Sequence, residues 1–245
     1  MSIKIRLKSS LDEKLVKNHV FFTDQDFKIS GFKKLSIFKS SNLIIKSINA
    51  NKINDKNFLS FNINPTQKII LIKIKNNHSS LDIEKIGADF YSYLKSNSFF
   101  YTTFYEQNIK NSNCKNKYFF DEFIHGVELK SYEFNKYKSK NDNKTLEVDI
   151  LNKNKSFKLN QNKRFNSLIE GTNFTKDLVS EPGNILHPDE YAKRLLQLKK
   201  IGLKINVYDK IKLKKLGMNA LLGVGQGSIR GSYLVTLEWK GIKSK

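Results

Sequence analysis

KIILIKIKNNHSSLDIEKIGADFYSYL, residues 68–94, contains the change of period that decides the fold class. Ile69, Ile70, Leu71, Ile72 and Ile74 crowd into one short run, the strongest strand signal in the chain, because β-branched side chains suit a pleated surface. From Ile83 the spacing lengthens. Ile83, Ile86, Phe90 and Leu94 recur at helical intervals, and Asp82 and Glu84 stand near the N-terminal end, where the helix dipole favours acids. A strand leading into an amphipathic helix is the signature of an α/β protein.

The same alternation extends in both directions. Toward the N-terminus, Ile3, Ile5 and Leu7 alternate with Lys4 and Arg6 as in a half-buried strand, and His19–Phe22, Leu35–Phe38 and Asn42–Ile48 are further short strands. Toward the C-terminus, Phe99–Tyr105 is aromatic and β-branched enough for another strand. Lys117–Phe134 returns to helical spacing through Phe119, Phe123 and Val127, with Phe120 and Ile124 broadening the apolar face. Leu146–Leu151 supplies a last strand. This defines an amino-terminal α/β domain over residues 1–151, followed by a charged, apolar-poor linker at 152–163.

Residues 164–245 form a second unit. Phe165–Val179 reads as a helix and Pro182-Gly183 as a sharp break. Pro188 suits a first helical position, with Asp189 and Glu190 in the first turn; that helix is expected to bury Tyr191, Leu195 and Leu198 and to stop at Gly202. Leu203–Tyr208 is a strand, Lys210–Leu216 a short helix, and Tyr233–Trp239 a strand expected to lie in a core through Leu234, Val235 and Leu237. Two strands are few for a sheet that must bury both faces, so this unit is expected to be incomplete in itself.

The chain carries 44 basic and 23 acidic side chains, a formal charge of +21. Residues 1–160 hold 28 bases and 16 acids, and residues 161–245 hold 16 and 7, so the excess is spread over both halves. Such a field attracts nucleic acid, anionic membrane or acidic proteins without choosing among them. No segment has the length of a membrane-spanning helix, no signal peptide is evident, and the compartment expected is the cytoplasm. Cys114 is the single cysteine, which excludes a disulfide framework and a thiolate metal cluster; it lies in a polar stretch without an activating partner.

Few residues suggest chemistry. His19, His78, His125 and His187 are scattered, with no spacing that places two imidazoles on one helix face, and each reads as structural or surface. Gly223-Val224-Gly225-Gln226-Gly227-Ser228-Ile229-Arg230-Gly231 has serine where a dinucleotide fingerprint needs glycine, and it does not follow a strand. The favoured reading is a turn where backbone passes close to backbone; the alternative is an anion-holding loop of backbone amides. Asp189 and Glu190 suit a helix start, and the acids are too few and scattered for a two-metal hydrolytic site. Lys136–Lys140 and Lys210–Lys215 read as solvated faces that could also meet phosphates.

Several longer stretches carry a resemblance. Leu178-Val179-Ser180-Glu181-Pro182-Gly183-Asn184 is similar to the Leu-Val-Asn-Glu/Thr-Pro-Pro-Asn segment of the leucine aminopeptidase, or cytosol aminopeptidase, family. His187-Pro188-Asp189-Glu190-Tyr191-Ala192 resembles the Thr-Pro helix start that follows it there. Leu216-Gly217-Met218-Asn219-Ala220-Leu221-Leu222-Gly223-Val224-Gly225-Gln226-Gly227-Ser228 is similar to its Leu-Gly-Met-Gly-Ala-Leu-Leu-Gly-Val-Gly-Gln-Gly-Ser segment, with Asn219 replacing a glycine. Upstream, His125-Gly126-Val127 with Tyr132, Phe134 and Tyr137-Lys138-Ser139-Lys140 resembles the end of the family's first domain.

The resemblance implies a macro-domain-like amino-terminal mixed-sheet domain followed by the truncated opening of an α/β aminopeptidase catalytic domain. It implies a hydrolase that removes N-terminal amino acids, a metallopeptidase using two divalent cations, manganese or zinc, and a hexamer, with DNA as a partner of some bacterial members. No catalytic, cofactor-binding or metal residue carries over: Lys240–Lys245 does not match the family's Gly-Lys-Gly…Phe-Asp-x-Gly-Gly segment, where the metal ligands begin. The isolated chain is therefore expected to be inactive. The alternatives are a non-catalytic DNA-binding or scaffolding module, or one subunit of a split aminopeptidase whose complementary chain supplies the rest of the catalytic domain.

Overall fold

The computed structural model describes residues 3–30, 46, 57–112, 114–139, 144–153 and 162–241. The strand expected at Leu35–Phe38 lies outside them, as does that at Asn42–Ile48 except for Lys46. Residue contacts divide the chain into two units, Met1–Asn173 and Phe174–Lys245.

In the first unit six strands form one sheet: β1 (Ile3–Lys8), β2 (Asn18–Thr23), β3 (Phe58–Asn62), β4 (Lys68–Lys73), β5 (Tyr101–Tyr105) and β6 (Leu146–Leu151). Their order across the sheet is β1-β6-β5-β2-β4-β3. All neighbours run parallel except β3, which pairs antiparallel with β4 and makes the sheet mixed. β2 is buried along its whole length, which is why its residues show no polar alternation. β6 does not close the sheet at an edge; it sits between β1 and β5.

Three helices accompany the sheet: α1 (Ser80–Ser96), α2 (Glu106–Lys110) and α3 (Phe119–Ser131). Asp82 does more than answer the dipole of α1: it closes a capping box with Ser79, accepting from the Ser79 amide at 3.0 Å while the Ser79 hydroxyl accepts from the Asp82 amide at 3.2 Å. The α1 stripe of Ile83, Ile86, Phe90 and Leu94 packs with Phe119, Phe120, Phe123 and Val127 of α3 over Val20, Phe22, Ile70, Ile72 and Phe104. Gly87 and Gly126 let the helices meet: a Cβ on Gly87 would overlap the Phe123 carbonyl oxygen, and one on Gly126 the Glu84 carbonyl oxygen.

The opposite face of the sheet holds a smaller apolar cluster of Phe21, Phe27, Ile69, Leu71, Tyr105 and Leu151. Toward β1 that face becomes polar. Parallel register sets Arg6 opposite Asp149, so Arg6 and Lys8 reach Asp149 at 2.6 and 2.7 Å, and Arg6 also contacts Glu147. α2 is explained by one side chain: Asn108 accepts from the Phe22 amide at 2.7 Å and donates to the Phe22 carbonyl at 3.0 Å, satisfying backbone that β5 does not reach.

α4 (Asn162–Ser180) contains the boundary between the units. The second unit continues with α5 (Pro188–Leu196), a 3-10 turn Gln197–Ile201, β7 (Lys204–Tyr208), α6 (Lys210–Lys215), α7 (Asn219–Val224) and β8 (Leu234–Glu238). Gly202 ends the 3-10 turn in the left-handed region at φ 94°. β7 and β8 form a two-stranded antiparallel sheet. Two expectations are corrected here. Tyr191 is exposed while Ala192 and Leu195 are buried, because the helix presents its 192/195 side inward. β8 is not a core strand: it has one neighbour, Leu234 and Val235 are half-buried, and Leu237 is exposed.

Candidate functional site

The residues that gather in the second unit lie around two turns. The first follows α4. Its last carbonyls and the Pro182 break are tied by the Glu181 amide to Asp177 at 3.1 Å, and by the Ile185 and Leu186 amides, both at 2.9 Å from the Pro182 carbonyl. α5 then starts at Pro188, whose missing N–H costs nothing at a helix start. His187 precedes it without capping the helix; its Nδ1 lies 2.5 Å from Asp189 Oδ1. Asp189 Oδ2 in turn receives Arg230 Nη1 at 3.3 Å.

Arg194, one helical turn after Glu190, donates from Nε to Glu190 at 3.1 Å and from Nη1 to Glu181 at 2.8 Å. The Glu181 side chain is 1% exposed. These two bonds, the Glu181 one first, raise the Arg194 guanidinium further, and the Arg194 bond holds Glu190 below its ordinary value. The i,i+4 spacing of Glu190 and Arg194 was legible in the sequence. Glu181 was not, because only the Pro182 turn carries it back to the helix.

The second turn is the glycine-rich stretch. It follows α7 rather than a strand, and its amides close short turns: Gln226 onto the Gly223 carbonyl at 3.3 Å and Ser228 onto Gly225 at 3.1 Å, while the Arg230 amide reaches Ser228 Oγ at 3.1 Å. The close approach at Gly225 is to a side chain rather than to backbone: a Cβ there would overlap Ser232 Oγ. α6, α7 and this loop enclose a cavity of about 520 Å³.

The histidines are brought together with acids or aromatics but not with one another. His19 is fully buried in β2, its Nδ1 2.5 Å from the Tyr105 hydroxyl and its Nε2 3.3 Å from the Gln67 amide nitrogen. Burial pushes His19 down to about 4 and the Tyr105 phenol upward. His125 lies against Phe165, ring centroids 4.5 Å apart, with Nδ1 3.1 Å from Glu84. His78 accepts from the Lys75 amide at 3.3 Å. Cys114 is half-buried against the first unit's core, and burial pushes its thiol up, away from reactivity.

The two cations implied by the resemblance do not fit these residues. Among the described residues no three His, Cys, Asp or Glu side chains gather at one point. Five of the second unit's six carboxylates are engaged in the interactions above or nearby: Glu181, Asp189 and Glu190 as above, Glu238 with Lys204 and Lys240 at 3.3 and 3.4 Å, and Asp209 as the N-cap of α6. A two-cation site needs several carboxylates facing a common centre, so no catalytic step is derived through such ions.

The model of the cytosol aminopeptidase family, catalytic domain, matches residues 173–245. Probable cytosol aminopeptidases from Phytoplasma mali and Sinorhizobium fredii are 45% and 39% identical over 129 and 136 residues, half of this chain and 26% of each relative. The chain is thus related to the cytosol aminopeptidases, and the aligned part spans about a quarter of the relatives' length. The fold agrees. A tomato leucine aminopeptidase mutant superposes with a TM-score of 0.73 at 18% identity, over 100% of this chain and 52% of that one. The bottromycin maturation enzyme BotP in complex with Mn does so with 0.63 at 15% identity, over 92% and 45%. Among the described residues, no helix is long and apolar enough to cross a membrane.

Proposed function

We propose that this chain is a leucyl aminopeptidase-related polypeptide that does not cleave peptides by itself. In this reading an amino-terminal domain, residues 1–151, is the macro-domain-like part and residues 164–245 are the opening of the catalytic domain, joined by the linker at 152–163. The observation that carries the reading is the order of three motifs, at residues 178–184, 187–192 and 216–228, on a helix end, a helix start and a glycine loop within the family match. Removal of N-terminal amino acids, in the cytoplasm, is the activity of the assembled enzyme. This chain contributes scaffold to it.

The commitment of the second unit's acids to Arg194, Arg230, Lys204 and Lys240 supports the lack of independent activity. The exposed Leu237 and Trp239 around β8 support further polypeptide that covers them, in one longer chain or in a second one, with the hexamer forming only from the complete assembly. The test is direct. Purified chain with manganese or zinc should release no leucine from a leucyl amide. Co-expression with the remainder of a cytosol aminopeptidase catalytic domain should give co-elution on size exclusion. Release that scales with the chain alone, after contaminating peptidase is removed, contradicts the first claim; a soluble partner that never co-elutes contradicts the second.

A further inference from the structure

The glycine loop has a property that the aminopeptidase relationship does not use. The cavity it encloses with α6 and α7 is lined by Lys210, Lys214 and Arg230 together with Gln226, Ser228 and Ser232, and no carboxylate lines it among the described residues. Elsewhere in the second unit several bases pair with acids: Arg194 with Glu181 and Glu190, Lys193 with Glu190, Lys204 and Lys240 with Glu238. Arg230 alone among the cavity bases meets an acid, Asp189 at 3.3 Å through Nη1, which orients the guanidinium and leaves its other N–H groups to donate.

We propose that this cavity binds a phosphate-type oxyanion. Three cationic groups, two hydroxyls and the carboxamides of Asn219 and Gln226 around one space offer many donors to a group with several acceptor oxygens and more than one negative charge. At about 520 Å³ the space exceeds a single phosphate, so the class that fits is a polyphosphate or a phosphodiester run. Gly225 shapes the wall: its lack of a side chain lets Ser232 close in, and any larger residue would push Ser232 away. Lys210 and Lys214 are exposed and one helical turn apart, free to move onto a ligand from the same side.

The experiment titrates the full chain at low salt with pyrophosphate and, separately, with a short DNA duplex, by calorimetry. Two double variants are compared: Lys210→Gln with Lys214→Gln in the cavity, and Lys199→Gln with Lys200→Gln on the exposed 3-10 turn. Both remove two charges from exposed positions, so circular dichroism should be unchanged. The expected result is at least tenfold weaker binding in the cavity variant and less than twofold in the control. Pyrophosphate that binds and displaces the duplex identifies a polyphosphate ligand; duplex binding alone identifies a phosphodiester backbone. Either supports the site. No binding of either probe, or equal losses in both variants, overturns it, the latter showing a general field rather than a site.

Discussion

Residues 1–173 and 174–245 alternate strand and helix in the same way, yet they bury very different interiors. The first unit sets six strands under two helices and encloses Phe22, Phe90, Phe104 and Phe123 almost completely. Among its described residues the second has two strands; the buried apolar ones are Leu178, Ala192, Leu195, Ile205 and Leu213, while Ile201, Ile211, Leu216, Leu237 and Trp239 are exposed. Local periodicity writes the elements, but only enough layers make a core. The difference teaches that an α/β pattern is not by itself a self-sufficient domain.

The comparison can be broken most forcefully in the first unit. Gly126→Val places side-chain atoms against the Glu84 backbone, where neither helix can yield without moving off the sheet. It should cost about 3 kcal/mol, at the upper end of overpacking, read as a lower urea midpoint. A change of less than about 0.5 kcal/mol, the range of an ordinary surface substitution, would mean that the α1–α3 contact is looser than described.

His19 gives the next largest effect. Its folded-state value of about 4 lies below that of the unfolded chain, so the unfolded chain takes the proton first. Stability is full above about pH 6.5 and falls as the pH drops toward 4, by about 2 kcal/mol between pH 7 and 5. His19→Gln should flatten that slope in urea titrations at the two pH values. An unchanged slope would show that His19 is protonated in place.

Leu237→Ser marks the small end. The side chain is 45% exposed on a strand with one neighbour, and the thermal midpoint should shift by no more than about 0.5 kcal/mol allows. A loss of 2 kcal/mol or more, the size of a core truncation, would place Leu237 in a real interior and shrink the contrast between the units.

How much of this was legible follows the same line. β4 could be read because five apolar residues crowd into seven positions, and α1 because its stripe and Asp82 agree. β3 was missed: Phe58, Leu59, Ser60 and Phe61 carry no clean alternation, since the strand is a half-buried edge. α2 was missed because five polar-rich residues without a cap have no local signal; Asn108 makes sense only once β2 lies beside it. The cluster of Glu181, Arg194, Asp189 and Arg230 joins residues up to 41 positions apart, and only a fold reveals such pairs. The glycine loop was legible as a tight turn, whereas the bases around it were separate lysines in a lysine-rich chain.

Amide hydrogen exchange on the full chain tests the central contrast most directly. If the second unit lacks the cover that makes a core, the amides of β7 and β8 open locally and should exchange orders of magnitude faster than those of β2 and β4, which should exchange only through global unfolding. Protection of β7 and β8 equal to that of β4 would contradict the account, since it would make the two-stranded unit as self-sufficient as the six-stranded one.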